Sequence, residues 1–214
     1  NHHRAWLLLV GLVASATGVR AADVGVSAVK LIVIDKIATA GQAKAVFVSK
    51  DTGITKGAGT DVSQIFPELG VAYHAVEGGF QMPAGAGWVA NKDTVAKYTN
   101  GHAPSGGAVK VSIIKPGLLV KVVGKSLGDT ALNISSQPVG DVYVTHSVFN
   151  GGEGFRHCTL FGGSSCIHKL IAGGTGYKLI CKEASVGDPT CAGGPPPACC
   201  NLTDPFPMCT FLTP

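Results

Sequence analysis

The chain has little charge, few aromatic residues and no cysteine over most of its length. Charged residues make up 14% and aromatic residues 7% of the sequence, and no run of like charges stands out. The formal net charge is +4, and it falls to about +2 when Arg4 and Arg20 of the N-terminal segment are set aside. This near balance gives no reason to expect a nucleic acid or an acidic membrane as partner.

No apolar run is long enough to span a bilayer. The run from Ala5 to Ala14 (AWLLLVGLVA) has about ten residues, whereas a spanning helix needs roughly twenty. It follows His2-His3-Arg4 and precedes small residues, which is the order of a removable signal peptide. We expect cleavage after Ala21, with Ala16 as the competing site. A buried N-terminal element and an uncleaved anchor are the alternatives.

A secreted or otherwise extracytoplasmic protein with no membrane span after cleavage is therefore predicted. Residues 1–21 form the signal peptide, residues 22–191 a single domain, and residues 192–214 a tail. The tail is set apart by its run Gly193-Gly194-Pro195-Pro196-Pro197, which has no core-forming pattern.

What the chain has in abundance is turn-forming and β-branched residues. Its 30 glycines and 12 prolines, together with many Val, Ile and Thr residues, suit short strands joined by tight turns. The clearest hairpin is 109–124, because Lys115-Pro116-Gly117 has the residues of a type II turn. The other predicted strands are 28–35, 44–50, 141–149, 155–161, 168–172 and 177–182.

Two further segments give weaker patterns. A strand pair is predicted from Val71 to Ala75 and from Gly79 to Met82, with its turn at Glu77-Gly78-Gly79. A short helix is predicted over 88–100 (WVANKDTVAKYTN), where Asn91 can cap the first turn. The whole pattern predicts an all-β fold, an antiparallel β-sandwich or barrel-like arrangement of about 8–10 short strands with one short helix.

All seven cysteines lie between residues 158 and 209, towards the C-terminal end of the chain. In an exported protein such a cluster favours disulfides that staple the C-terminal hairpins. The preferred pairing is Cys158 with Cys166 and Cys181 with Cys191, although the sequence leaves crossed connectivities open. Cys199 and Cys200 are adjacent and do not readily pair with each other, so Cys209 can bond to only one of them.

The same cysteines stand beside histidines in a pattern that suits zinc. His157-Cys158 and Cys166-Ile167-His168 supply the ligand types of a tetrahedral zinc site. Export favours oxidised sulfur over a metal thiolate, so disulfides with incidental histidines are the preferred interpretation, and no metal or other cofactor is predicted.

One short motif matches a catalytic sequence pattern, but the sequence around it does not. Gly124-Lys125-Ser126-Leu127-Gly128 matches the G-x-S-x-G pattern of serine hydrolases, which requires a strand, a sharp turn and then a helix. No helical period follows Gly128. A hydrolase using Ser126 with His146 or His102 is therefore a minor alternative, and no catalytic residue is assigned.

Candidate binding residues are aromatic. Trp88 and Tyr98 are the ones that could contact a glycan if they were exposed, although a lone tryptophan is more often part of a core.

Four stretches of the chain resemble a family of uncharacterised exported bacterial proteins. They are KAVFVSKDTGITKGAGTD, GWVANKDTVAKYTN, VKVSIIKPGLLVKVVGKSLGDT and FRHCTLFGGSSCIHKLIAGGTGYKLICK, and the likeness covers roughly residues 28–191. The resemblance implies a secreted β domain with the pairs Cys158–Cys166 and Cys181–Cys191 and implies no known activity. We therefore expect a non-enzymatic module with a structural or binding role, whose partner is a glycan, a surface or another protein.

Overall fold

A computed structural model of the chain describes residues 21–36, 42–56, 68–73, 76–81, 88–91, 95–99, 106–127, 134, 140–150 and 153–184. The predicted signal segment up to residue 20, His102, Cys191 and the predicted tail lie outside the described residues.

The described part of the chain consists mainly of β-strands. In chain order they are β1 Ala21–Gly25, β2 Ala28–Lys36, β3 Gln42–Ser49, β4 Glu68–Tyr73, β5 Val76–Gln81, β6 Trp88–Asn91, β7 Val95–Thr99, β8 Gly106–Lys115, β9 Leu119–Leu127, β10 Val142–Asn150, β11 Glu153–Phe161, β12 Cys166–Leu170 and β13 Tyr177–Ala184. The helices among the described residues are two single 3-10 turns, Gly163–Ser165 and Ala172–Gly174. The all-β expectation is confirmed, with more strands than the 8–10 predicted.

The strands form one hydrogen-bonded sheet that folds over itself. Their order is β1-β11-β10-β4-β5-β8-β9-β3-β2-β13-β12, with β7 also paired to β8 and β6 to β7. All pairs are antiparallel except β1 with β11 and β5 with β8. The order runs between two ends, β1 and β12, so the sheet is open. Because β11 contacts β13 although they are far apart in this order, the two halves stack in a sandwich-like arrangement.

Alternation of side chains explains why these segments form strands and where they bury their surface. Along β2 and β3, every second residue is buried and the residues between them are partly or fully exposed. The buried set joins both halves of the sheet in one cluster that includes Phe47 of β3, Phe80 of β5 and Phe161 of β11, all fully buried. Burial of large apolar side chains from both halves holds the layers together.

The hairpin β8–β9 turns as the sequence predicts. Gly117 has a φ of 67°, and the Leu118 N–H donates to the Lys115 carbonyl over 3.0 Å, as in a type II turn. The loop that follows β3 contacts this turn through Ile54, which is buried and whose carbonyl accepts the Gly117 N–H at 2.8 Å.

The predicted helix over 88–100 is wrong, because this segment forms strands. Trp88 lies opposite Tyr98 in the β6–β7 hairpin, and Ala96 of β7 lies opposite Ile114 of β8. Helical propensity is weak in so short a segment. Pairing with the edge of β8 satisfies the backbone of β7 and buries Ala96 completely, which outweighs the local preference.

The strand pair β4–β5 exists, but its turn was placed wrongly. Tyr73 pairs with Val76, so the chain reverses there. Glu77, Gly78 and Gly79, which were predicted to form the turn, pair with β4 residues within the ladder. Gly78 and Gly79 can occupy strand positions because the hydrogen bonds of a ladder come from the backbone and need no side chain.

The preferred disulfide pairing is wrong as well. Cys166 of β12 lies directly opposite Cys181 of β13, and the two are bonded. Cys158 is on β11, near the other end of the sheet order, and its disulfide is with a cysteine other than these two. Cys158, Cys166 and Cys181 are thus oxidised as expected, but in a pairing that strand order decides and sequence spacing does not reveal.

Candidate functional site

Ser126 is the next-to-last residue of its strand and is paired on both sides within the antiparallel sheet. It belongs to β9, opposite Ala43 of β3 on one side and Gly107 of β8 on the other. The strand, sharp turn and helix that expose a hydrolase serine are not formed around it in the described residues. Gly124, the first glycine of the motif, has a packing role, because a Cβ there would come within 2.5 and 2.7 Å of ring carbons of Phe80.

The four residues of the zinc alternative are not brought together. Cys158 and Cys166 are both disulfide-bonded, so neither offers a thiolate. The ring of His157 contacts β10, whereas the ring of His168 stacks on Tyr177 with a centroid distance of 5.3 Å. In the described parts of the chain, no group of three or more His, Cys, Asp or Glu side chains is arranged to hold a metal ion.

A pair of buried histidines is the main cluster of ionisable side chains in the described core. His146 of β10 and His157 of β11 lie opposite each other in the ladder, and both are 0% exposed. Their rings stack with an interplanar angle of 12°, and their Nδ1 atoms are 3.2 Å apart. His146 is therefore closed to solvent in the described structure.

The hydrogen bonds fix the tautomers of the two neutral rings. The Thr55 N–H donates to Nε2 of His157 over 3.1 Å, so the proton of this imidazole is on Nδ1. That Nδ1–H donates to Nδ1 of His146, which places the His146 proton on Nε2. This last N–H is buried without a partner among the described residues. The pair thus joins the 51–56 loop to β11 and β10 and leaves one donor unsatisfied.

Burial keeps both imidazoles neutral. Loss of hydration lowers the pKa of His157 from 6.5 to about 4, although the nearby Asp51 carboxylate acts in the opposite direction. Burial also lowers the pKa of His146 well below 6.5, and the neighbouring His157 adds to this effect. The cluster is therefore poor at accepting a proton at neutral pH, as expected of a structural pair.

Asp51 organises the loop that meets this pair. Its carboxylate accepts the N–H groups of Gly53 at 2.7 Å and Ser27 at 2.9 Å. Partial burial acts to raise the pKa of Asp51, but these two donors outweigh it and hold the pKa below its ordinary value of 3.8. The carboxylate stays ionised and holds the loop against the start of β2.

A second polar contact anchors the connection between β9 and β10. The Ile134 N–H donates to the buried Asp35 carboxylate at 3.0 Å, and the Ile134 carbonyl lies 2.7 Å from Nε2 of His168. The side chain of Ile134 is fully buried. His168, a zinc candidate from the sequence, is thus a backbone anchor.

The outer face of the sheet, opposite the core, carries three rows of residues that cross neighbouring strands. The central row is aliphatic and consists of Ile167, Ile180, Ile32, Val46, Val123 and Val111. These residues are half-buried, except Ile167 on the edge strand β12, which is 62% exposed.

Lysine rows flank the aliphatic row on both sides. The first lysine row contains Lys169, Lys178, Lys44 and Lys125, with Ile34 between the middle two. The second lysine row contains Lys182, Lys30, Lys121 and Lys97, interrupted by Val48 and Ile113. None of these eight lysines forms an ion pair with a described residue. We call the three rows together the lysine face.

Acidic residues are nearly absent from the strands that build this face. β2, β3, β7, β8, β9, β12 and β13 carry eleven lysines but only two acidic residues, Asp35 and Glu183. Asp35 is buried on the inner side, and Glu183 is exposed near the end of β13. The small net charge of the chain thus hides a concentration of positive charge on one surface.

Of the residues that the sequence proposed for glycan contact, Trp88 and Tyr98 are placed opposite each other on the β6–β7 hairpin. The pairing of His146 with His157 was not predicted, although the sequence of the β10–β11 hairpin contains a signal for it. Asn150 pairs with Glu153, and His146 and His157 each lie four residues further from the turn, so a tight turn near the predicted position makes them cross-strand partners. The lysine face has no such local signal, because it depends on pairing between strands distant in sequence.

The fold and these features define a disulfide-bonded all-β domain of sandwich-like architecture. The disulfides are compatible with an extracellular location. The described residues contain no helix that is long and apolar enough to cross a membrane. The chain matches no known family model, and comparison with curated proteins and with solved structures finds no similar one.

Proposed function

We propose that the protein is a secreted or cell-surface β domain that binds a partner through its lysine face and does not catalyse a reaction. The observation that carries this proposal is a contrast between the two sides of the sheet. The histidines of β10 and β11 are closed to solvent inside the fold, whereas the lysine face is open and has no described counter-charge.

The placement of the catalytic candidates supports a non-enzymatic role. Ser126 is in a ladder between two strands, and His146 is fully buried against His157. A hydrolase needs a nucleophile and a base within hydrogen-bond reach in a cleft open to substrate. Labelling with a fluorophosphonate probe tests this point, and we expect no label. Labelling of the native protein that is lost in Ser126→Ala would contradict the proposal.

The N-terminal strand supports export. β1 begins at Ala21, and cleavage after that residue would leave Ala22–Gly25 in place beside β11. Asp23 accepts hydrogen bonds from Arg156, at 2.8 Å from each of two guanidinium nitrogens, which fastens the new N-terminal region to the sheet. A signal peptide cleaved after Ala21 would therefore leave the paired residues of β1 in the mature chain, which is consistent with the exported β-protein family that the sequence resembles.

Lysine footprinting on the intact protein tests the binding role. The secreted protein is mixed with the cell envelope of the producing cells, treated with an amine-reactive acetylating reagent and mapped by mass spectrometry. We expect Lys44, Lys121 and Lys182 to be protected by the envelope. Lys50, which is exposed but lies outside the lysine face, should react equally with and without the envelope. Equal reactivity of all four lysines in both samples would refute binding through this face.

A further inference from the structure

We propose that the partner of the lysine face is an acidic polysaccharide, a flexible chain bearing carboxylate, sulfate or phosphate groups. This inference rests on the binding role proposed above and specifies the chemistry of the partner. It is drawn from the cross-strand register, the charge and the twist of the sheet.

The arrangement of the lysines lowers the stability of the unliganded protein. Three lysine pairs lie directly opposite each other on neighbouring strands: Lys169 with Lys178, Lys44 with Lys125 and Lys182 with Lys30. Their Cβ atoms are therefore only about 5 Å apart, a spacing at which like charges destabilise a sheet. A sequence that violates a local rule repeatedly on one surface points to a function of that surface. A polyanion seated there would remove the repulsion.

The lysines of each row are regularly spaced. Neighbouring strands are about 4.8 Å apart, so each lysine row presents ammonium groups at one- or two-strand intervals along a line. The two lysine rows are four residues apart along the strands, or about 13 Å. Repeated anionic groups on a polymer can contact several positions of one row in succession, which gives avidity that an isolated anion lacks.

The twist that is general to β-sheets favours a flexible polymer over a flat membrane as the partner. Neighbouring strands are rotated by about 20–25°, so the direction of the lysine side chains turns by about 100° or more over six strands. A planar layer of anionic lipid headgroups can touch only part of such a row, whereas a flexible polymer can follow it. The central row also lacks an inserting element, because apart from Ile167 its aliphatic side chains are half-buried.

The composition of the face favours sugar over single-stranded nucleic acid. The three rows contain no aromatic residue, and unpaired bases are usually bound by stacking on aromatic side chains. The aliphatic row instead offers a shallow apolar strip, bordered by the methylene stems of lysines, against which the C–H faces of sugar rings can lie.

The test uses defined polymers and two matched variants. The probes are dextran sulfate, polygalacturonate and neutral dextran, with vesicles of mixed phosphatidylglycerol and phosphatidylcholine and duplex DNA as competing classes. Lys44→Gln removes a charge from the first lysine row, and Lys50→Gln removes an equal charge from an exposed position one residue beyond β3. Both variants therefore have the same net charge, and thermal unfolding verifies that both fold.

We expect both acidic polysaccharides to bind, neutral dextran not to bind, and affinity to fall steeply with added salt. Lys44→Gln should weaken binding about fivefold, whereas Lys50→Gln should change it less than twofold. Equal weakening by the two variants would overturn the inference, because it would show attraction to net charge alone.

Other outcomes separate this inference from the binding role on which it rests. Preferential binding of vesicles or DNA would overturn the polysaccharide inference, and envelope protection of Lys44, Lys121 and Lys182 would still support the face as a binding site. Absence of binding to every polyanion would also overturn the inference, and absence of envelope protection in addition would refute the proposed function.

Discussion

Lys44 on β3 stands directly opposite Lys125 on β9, on the outer side of the sheet, and neither lysine has an ion pair with a described residue. Two like charges at this cross-strand distance repel each other, and the repulsion costs stability. The surface charge of this domain is therefore not optimised for folding.

Removing one of these charges should stabilise the protein. We expect Lys44→Gln to raise the free energy of unfolding by about 0.2–1 kcal/mol, measured by urea denaturation at low ionic strength. The gain should shrink in about 0.5 M salt, because salt screens exposed charges. Lys50→Gln should leave stability nearly unchanged.

A loss of stability in Lys44→Gln would mean that packing of the Lys44 methylene groups outweighs the repulsion between the two charges. Gain of stability together with loss of polymer binding would be the trade-off expected at a functional surface.

The buried histidines predict a defined loss of stability in acid. The pKa of His157 is lowered in the folded protein to about 4 from 6.5, so the unfolded chain takes up its proton first as the pH falls. Stability is then full above pH 6.5, falls between pH 6.5 and 4, and loses about 3 kcal/mol from His157. The pKa of His146 is lowered as well and acts in the same direction.

Urea unfolding at half-unit steps from about pH 7.5 to about pH 4 measures this dependence. His157→Gln removes the ionisable group and keeps an oxygen that can accept the Thr55 N–H, so its acid dependence should be shallower. The pKa of Asp51 is below 3.8, so this carboxylate remains charged through the window and contributes little to the slope. An unchanged slope in His157→Gln would place the acid sensitivity elsewhere.

A methyl group at Gly124 should be poorly tolerated. The Phe80 ring occupies the space that a Cβ would need, and Phe80 is fully buried. We expect Gly124→Ala to lower the free energy of unfolding by about 1–3 kcal/mol through overpacking. Combining it with Phe80→Leu should cost less than the sum of the two single changes, since both act on the same contact.

The control for this cycle is Gly162→Ala. Gly162 has a φ of −61°, and a Cβ there would meet nothing within 4 Å, so its effect should stay within about 0.5 kcal/mol. Strict additivity of Gly124→Ala and Phe80→Leu would show that the two residues do not contact each other in solution.

Disulfide mapping should find Cys166 joined to Cys181. A non-reducing peptide digest of the purified protein tests this directly, and a Cys158–Cys166 peptide would contradict the structure. The bond spans 15 residues, so its loss should lower the free energy of unfolding by about 3 kcal/mol in the chain-entropy account. The double variant Cys166→Ala and Cys181→Ala, compared with native protein by urea denaturation, measures that loss.

Local signals predicted much of the fold. Pro116-Gly117 gives one hairpin because it sets the dihedral angles of the turn, and alternation along β2 and β3 marks their buried sides. The sequence predicts a helix from Trp88, but strands form there because β7 pairs with β8. This pairing is a tertiary effect that the local sequence does not reveal.

The candidate site was harder to predict, for the same reason. The His146–His157 pair follows from one local turn and could have been found, whereas Lys44 meets Lys125 only because β3 pairs with a strand far along the chain. Net charge was misleading because it averages over the chain and carries no information about which charges share a surface.

The bond between Cys166 and Cys181 also determines how the domain would respond to mechanical load. β12 is an edge strand held by β13 alone among the described strands, and such a strand would ordinarily peel away one hydrogen bond at a time. The covalent link prevents that separation at the position of Cys166. Separation of this edge from the rest of the sheet therefore has to break the ladder between β13 and β2. For a protein anchored to a polymer outside the cell, this edge would yield as a two-strand unit.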